Sequence, residues 1–214
     1  PAERVVVRYI GVELTPGATP ADRDPAHLLF VGRLVAKKGV LGLIRAFVLA
    51  RAAIPALRLA VIGSGPDLAS ARDLAHAAQA AIEFPGFLPH AEVRARMRAA
   101  GAVVVPSRTG PDGDEEGVPT VVLEAFASGC PVVGTCHAGI PEVVTDEVNG
   151  LLVPEGDDEA LARALIRLAG DRLLHTRLAA GASATAADFA IGERTALLED
   201  TYDAVVADGR TRPG

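Results

Sequence analysis

Five short apolar runs constrain the fold of this chain more than any other feature. They are His27-Leu-Leu-Phe-Val-Gly32, Leu57-Arg-Leu-Ala-Val-Ile-Gly63, Ala102-Val-Val-Val-Pro106, Pro131-Val-Val-Gly134 and Gly150-Leu-Leu-Val153. None shows the sustained polar alternation of a strand with one wet face, and Gly or Pro bounds them. Such runs read as strands buried on both faces. Residues 40–51, 67–81, 91–99, 119–128, 157–169 and 171–180 carry helical patterns between and after them, and a last helix is predicted over about 191–206. Ile82-Glu-Phe84 adds a brief strand, Val5–Ile10 a further one, and Gly139–Glu142 reads as a turn. Buried strands alternating with helices predict a doubly wound α/β domain, a parallel sheet with helices on both faces. The Gly-, Pro- and Asp-rich segment before Pro25 is the expected domain boundary.

Length and charge narrow the function. The 214 residues suit one well-filled α/β domain and are few for two. Half of them are hydrophobic, yet no run approaches the ~18 apolar residues of a spanning helix, and no signal-peptide-like leader is expected. A net charge of −6 argues against a nucleic-acid-binding surface. Cys130 and Cys136 are too few for a disulfide framework and lack metal-ligand spacing; both are expected as small buried hydrophobes in a reducing compartment. Pro1 is not a translation start and Met97 is the only methionine, so a portion of a longer protein, with a partner domain elsewhere, is expected.

The segment Glu116-Gly-Val-Pro-Thr-Val-Val-Leu-Glu124 carries the chemistry. From Pro119 to Ser128 the predicted helix has Glu124 as its only ionisable residue, with Pro119 suited to its first position and Gly129 to its stop. A helix apolar on nearly all sides is buried, and a carboxylate on it needs a polar partner. That partner is either a set of local backbone amides or a ligand.

Ligands of open parallel sheets collect at the carboxyl ends of the strands. There the sequence places Gly32-Arg-Leu-Val-Ala-Lys-Lys-Gly39, Gly63-Ser-Gly-Pro66, Pro85–Pro89 and Ser107–Glu116. Arg33 and Lys38, with the free amides of a helix start, make a site for a phosphate or diphosphate. Lys37 reads as a solvated surface charge, and Gly63-Ser-Gly65 alone as a tight turn. Asp112, Asp114, Glu115 and Glu116 lack a calcium-loop pattern, so no metal is expected. His137 reads as structural or solvated.

Several motifs run in a familiar order: Gly11-Val-Glu13, Val31-Gly-Arg-Leu34 with Lys38-Gly39, Val61-Ile-Gly-Ser-Gly-Pro66, Phe84-Pro-Gly-Phe87 and Val105-Pro-Ser107. Glu116-Gly-Val-Pro119, Leu123-Glu-Ala125, Ser128-Gly-Cys-Pro-Val-Val133, Gly139-Ile-Pro-Glu142 and Gly150-Leu-Leu-Val-Pro154 follow. In these the chain resembles the C-terminal, donor-binding domain of retaining glycosyltransferases of the two-domain GT-B fold, glycosyltransferase family 4 (group 1). Gly113-Asp-Glu-Glu-Gly117 and His137-Ala-Gly-Ile-Pro141 are most similar to bacterial exopolysaccharide members.

The resemblance implies that residues 1–214 form one Rossmann-like donor domain, with the N-terminal acceptor domain absent, and that the donor is a nucleoside diphosphate sugar needing no cofactor. Catalytic roles fall to Arg33 and Lys38, on the diphosphate, and to Glu116, on the sugar hydroxyls. Gly32 shares the Arg33 loop. The backbone at Gly117 and Val118 assists Glu116, and the amides of Thr120 and Val121 face phosphate oxygens. Glu124 accepts from the ribose, while main chain near Gly63, Gly65 and Leu88 lines the base pocket. The absent domain would supply the acceptor site and a His or Asp, pack against the last helix, and carry any peripheral membrane association of an otherwise cytoplasmic protein. The alternatives are a non-catalytic nucleotide-sugar-binding module and a sugar-nucleotide epimerase of related fold. Arg33, Lys38, Glu116 and Glu124 together favour the transferase, though this chain alone is expected to bind without transferring.

Overall fold

Six parallel strands form one sheet in the order β3-β2-β1-β4-β5-β6 in the computed structural model, which describes residues 6–14 and 23–211. The strands are β1 (Asp24–Val31), β2 (Arg58–Ile62), β3 (Ile82–Gly86), β4 (Ala100–Val105), β5 (Val132–Thr135) and β6 (Gly150–Val153). The helices are α1 (Val40–Ala53), α2 (Leu68–Ala77), α3 (His90–Ala99), α4 (Thr120–Ala127), α5 (Ile140–Val143), α6 (Asp158–Gly170), α7 (Arg172–Ala186) and α8 (Ile191–Thr211).

The buried strands divide their side chains residue by residue between two cores. Leu28, Phe30, Leu59, Val61, Ala102 and Val104 face a core completed by α1, α2 and α6. Leu29, Ala60, Ile62, Val103, Val105 and Val132 face a second, completed by α3 and α4. The expected fold class, an open Rossmann-like sheet with helices on both faces, is therefore the observed one. Helix α7 rounds the β6 edge: Leu174 and Leu178 enter the first core, Ala182 and Ala186 the second. That four-residue stripe carries the helix past the predicted end at Ala180.

Other boundaries differ for physical reasons. The predicted strand over Val5–Ile10 is not formed by residues 6–10, which meet no sheet edge. Instead Val12 makes a single bridge to Ala190, its amide donating to the Phe189 carbonyl at 2.8 Å. Strand β1 already begins at Asp24, within the segment assigned to the linker, and its ladder to β4 is irregular between Asp24 and Leu28. Most of that linker, residues 15–22, lies outside the described residues. Helix α2 stops four residues short of Ala81 because Gln79 turns left-handed, at φ 49°, and the Ala80 amide reaches back to Ala75. Gly139–Glu142, predicted as a turn, opens the one-turn helix α5. Cys130 is buried, and loss of hydration pushes its thiol up to about 12. Cys136 is exposed, against expectation, because it leaves the sheet just past β5.

Among the described residues Arg23 is the largest fully buried side chain and has no carboxylate partner. Its Nη1 donates to Met97 O at 2.8 Å and Ala100 O at 3.0 Å, and its Nη2 to Ser128 O. These carbonyls end α3 and α4, where the helix dipole favours a cation. Burial nonetheless holds the guanidinium below its ordinary pKa. Replacing Arg23 with Leu leaves three carbonyls short of a charged donor and should cost on the order of 3 kcal/mol. Urea denaturation measures this, and an unchanged midpoint would show the carbonyls to be satisfied another way.

Candidate functional site

The loops that leave β1 and β4 meet over the sheet edge. After β1 the chain passes Arg33 and makes a single 3-10 turn, Ala36–Lys38. Gly39 ends that turn at φ 68°, where a Cβ would lie 1.9 Å from the Pro106 carbonyl oxygen, so only glycine lets this turn seat on the β4 loop. Lys38 thereby faces Glu116. Its ammonium lies 2.7 Å from Oε1 and 2.8 Å from Oε2 of that carboxylate, and Ser107 Oγ donates to Oε2 at 3.3 Å. Both side chains of the pair are mostly buried, 20% and 11% exposed.

Lys37 lies at the surface, as expected, but is paired there. It donates to Asp114 at 2.6 Å, which raises its pKa, and its carbonyl accepts from the Arg108 amide at 2.8 Å. Consecutive lysines thus hold both ends of the acidic segment 114–116. From the other side Gly139 packs close: a Cβ there would stand 2.9 Å from Gly117 C and Val118 N. The Gly139-Ile-Pro-Glu142 motif, read from sequence as a turn, is therefore a wall behind Glu116.

Helix α4 starts between two cavities. The larger, about 590 Å³, is lined by Glu116, Gly117, Val118 and Thr120, with Tyr9 and Glu142 opposite. Tyr9 donates its hydroxyl to the Glu142 carboxylate, which raises the phenol pKa, and its ring meets Phe189 edge-on at 5.8 Å. The smaller, about 310 Å³, is lined by Gly32, Arg33, Gly63, Leu88 and Glu124, with Phe87 and His90 at its side. Among the described residues Arg33 has neither hydrogen bond nor ion pair, and the Thr120 and Val121 amides meet no protein carbonyl. A free guanidinium and two free amides at a helix start can take an anion.

The structure thus brings together Gly32, Arg33, Gly63, Leu88 and Glu124 around one cavity, and Glu116, Gly117, Val118 and Thr120 around the other. Lys38 reaches them through Glu116. Gly65 and the Val121 side chain line neither cavity: Gly65 backs against the Leu34 carbonyl, and Val121 belongs to the core. Glu124 is 24% exposed, and its protein partner is His90, whose Nε2 lies 3.0 Å from Oε1. His90 and Phe87 were not singled out from sequence. Phe87, 83% exposed, ends the Phe84-Pro-Gly-Phe87 motif, whereas nothing local marks His90.

His137 is not solvated: one ring nitrogen is bonded, and its buried Nε2 has no hydrogen-bond partner among the described residues. Buried at the end of β5, it bonds Glu155 through Nδ1 at 2.8 Å, and Glu155 accepts from the Thr109 amide at 2.7 Å. This triad ties the β4, β5 and β6 loops. Among the described residues no group of carboxylates, histidines and cysteines is arranged to hold a metal ion.

A family model described as Glycosyl transferases group 1 matches residues 13–185. A candidate colanic acid biosynthesis glycosyltransferase of Escherichia coli (strain K12), WcaL, is 40% identical over 170 residues, 77% of this chain and 42% of that protein. The amylovoran biosynthesis glycosyltransferase AmsK of Erwinia amylovora is 36% identical over 174 residues, 78% of this chain and 42% of that protein. The chain therefore spans about two fifths of these relatives' length. HepE of Anabaena, solved in complex with UDP, superposes with a TM-score of 0.84 at 22% identity, over 95% of this chain and 58% of that one. At that identity the likeness shows the fold.

The Thr109 amide, and after it His137, holds the Glu155 carboxyl below its usual range. With the folded pKa below the unfolded one, the stability Glu155 contributes is complete above the unfolded value, near 4.5, and is lost as pH falls through the folded value. A carboxyl-carbon NMR titration should place its midpoint below 4.5. In Glu155→Ala the Thr109 amide should exchange faster, and an ordinary midpoint would separate Glu155 from this tie.

Proposed function

This chain belongs to the group 1 glycosyl transferase family, and from that premise we propose that it is the donor-binding domain of a retaining GT-B enzyme of glycosyltransferase family 4. It takes a nucleoside diphosphate sugar and, together with an acceptor-binding domain outside this chain, transfers the sugar in polysaccharide or glycoconjugate synthesis. The observation that carries the reading is helix α4 set between the two cavities, with Thr120 on the larger and Glu124 on the smaller: Lys38 pairs with Glu116 at the first, Arg33 lines the second, and among the described residues Arg33 and the Thr120 and Val121 amides have no partner.

The nucleoside enters the smaller cavity, with the base beside Gly63 and Leu88 and the ribose hydroxyls donating to Glu124. The diphosphate crosses the start of α4 between Arg33, Lys38 and the Thr120 and Val121 amides. The sugar occupies the larger cavity, its hydroxyls donating to Glu116 beside the backbone of Gly117 and Val118. As the glycosidic bond breaks, negative charge grows on phosphate oxygen. Cations and amides already in place stabilise that charge without having to reorient. The Lys38 ammonium, held by Glu116, needs only to share its protons with phosphate. Arg33 and Lys38 supply the positive charge the leaving diphosphate requires, so the reading calls for no metal ion or other cofactor. The exopolysaccharide relatives favour a polysaccharide product. No helix among the described residues is long and apolar enough to cross a membrane, and any peripheral membrane contact, at the inner face of a cytoplasmic enzyme, is assigned to the other domain.

Calorimetry of this chain with UDP, GDP and ADP tests the reading, with binding expected for one of them and no sugar transfer from the chain alone. Replacing Arg33 with Ala should weaken that binding by about 1.5–3 kcal/mol, as for hydrogen bonds to charged groups. Replacing Glu124 with Gln should weaken nucleoside diphosphate binding but leave inorganic pyrophosphate unaffected. An equal loss on both ligands would remove Glu124 from the ribose.

A further inference from the structure

Glu124 is held in place by a residue from another helix. Its Oε1 accepts from His90 Nε2 at 3.0 Å, and among the described residues no group bonds its Oε2. A carboxylate has about four acceptor positions, so capacity for at least two further donors remains. The surrounding cavity wall is largely apolar, built of Val31, Ile62, Leu88 and Val93. A carboxylate projecting from α4 over such a wall would otherwise sample several rotamers. His90 is the first residue of α3, behind Pro89, and its ring is 62% exposed, so it contributes little to the core. Because the carboxylate can only accept, the His90 ring must present Nε2–H to it. Its neighbours on the other side, Arg94 and Glu13, already pair with each other at 2.9 Å.

We propose that His90 is the positioning residue for ribose recognition: it fixes the Glu124 carboxylate so that the remaining lone pairs accept both hydroxyls of a vicinal diol. This rests on the donor-site reading above and deepens it, since it makes the site selective for a ribonucleoside diphosphate through a pair of residues. His90 acts through Glu124 and touches neither the diphosphate nor the sugar. Freeing the carboxylate returns the cost of ordering it to the binding step, about three- to ten-fold in affinity.

The test is calorimetry of the chain with UDP, GDP and ADP, each set against its 2′,3′-dideoxy form. Wild-type chain should prefer the ribose form of its nucleotide by about ten-fold or more, the worth of a hydrogen bond to a charged group. His90→Ala should weaken the ribose form about three- to ten-fold and the dideoxy form less than about two-fold. His90→Gln, which can place an N–H near the same point, should recover most of the loss. In a Glu124→Ala background, His90→Ala should have no further effect. An unchanged ribose affinity in His90→Ala overturns the proposal. So does an equal fall for both forms, which would put His90 on the base or the diphosphate. If wild-type chain binds none of the three nucleotides, the donor-site reading fails and this inference with it. If it binds one without ribose preference, the donor site survives and only the diol assignment falls.

Discussion

Strands β1 and β4 lie side by side in the sheet, yet the chain leaves them in opposite directions. After β1 it turns to α1 on one face, and after β4 to α4 on the other. A parallel sheet sends each of these exits to the same edge, and where the strand order reverses the exit loops part and leave a crevice. Lys38 and Glu116 meet across this gap at 2.7 Å. Two like charges placed there would have separated the loops; opposite charges, largely out of water, close them onto each other. The position of the site thus follows from topology, and its closure from this pair together with Lys37 and Asp114 beside it.

The start of α4 gains its chemistry from what the fold withholds. Pro119 supplies no N–H, and among the described residues no side chain caps the helix and nothing claims the amides of Thr120 and Val121. A helix end left open in this way costs stability unless water or a ligand completes it. The β4 loop cannot fold back to fill the place, because Lys37 holds Asp114 and Lys38 holds Glu116, while Gly139 presses on Gly117 and Val118 from behind. The site is kept open by the contacts that shape it.

Much of this was legible in the sequence, because strand burial and helix ends are written locally. Apolar runs bounded by Gly or Pro gave the sheet, and a single glutamate on an apolar helix marked α4. Pairings between distant segments were not legible. His90 reaches Glu124 across 34 positions, Tyr9 reaches Glu142 across 133, and Lys37 reaches Asp114 across 77. No periodicity encodes such contacts, so Lys37 read as a solvated charge and the partner of Glu124 stayed open. The misread strand over Val5–Ile10 has the same origin. Its residues have strand propensity, but propensity is realised only against a neighbour, and the sheet offers residues 6–10 no edge.

Arg23 connects stability to the site. It bonds the carbonyls that end α3, Met97 and Ala100, and the Ser128 carbonyl that ends α4. Helix α3 carries His90 at its other end, and α4 carries Glu124 at its fifth position. One buried cation therefore fixes the relative placement of the two helices that must meet for His90 to bond Glu124. An apolar residue could fill the same volume, but it would let the helices slide along each other, because packing between apolar faces is not directional. Three hydrogen bonds to fixed carbonyls are directional. The desolvation that lowers the Arg23 pKa is the cost of setting that geometry.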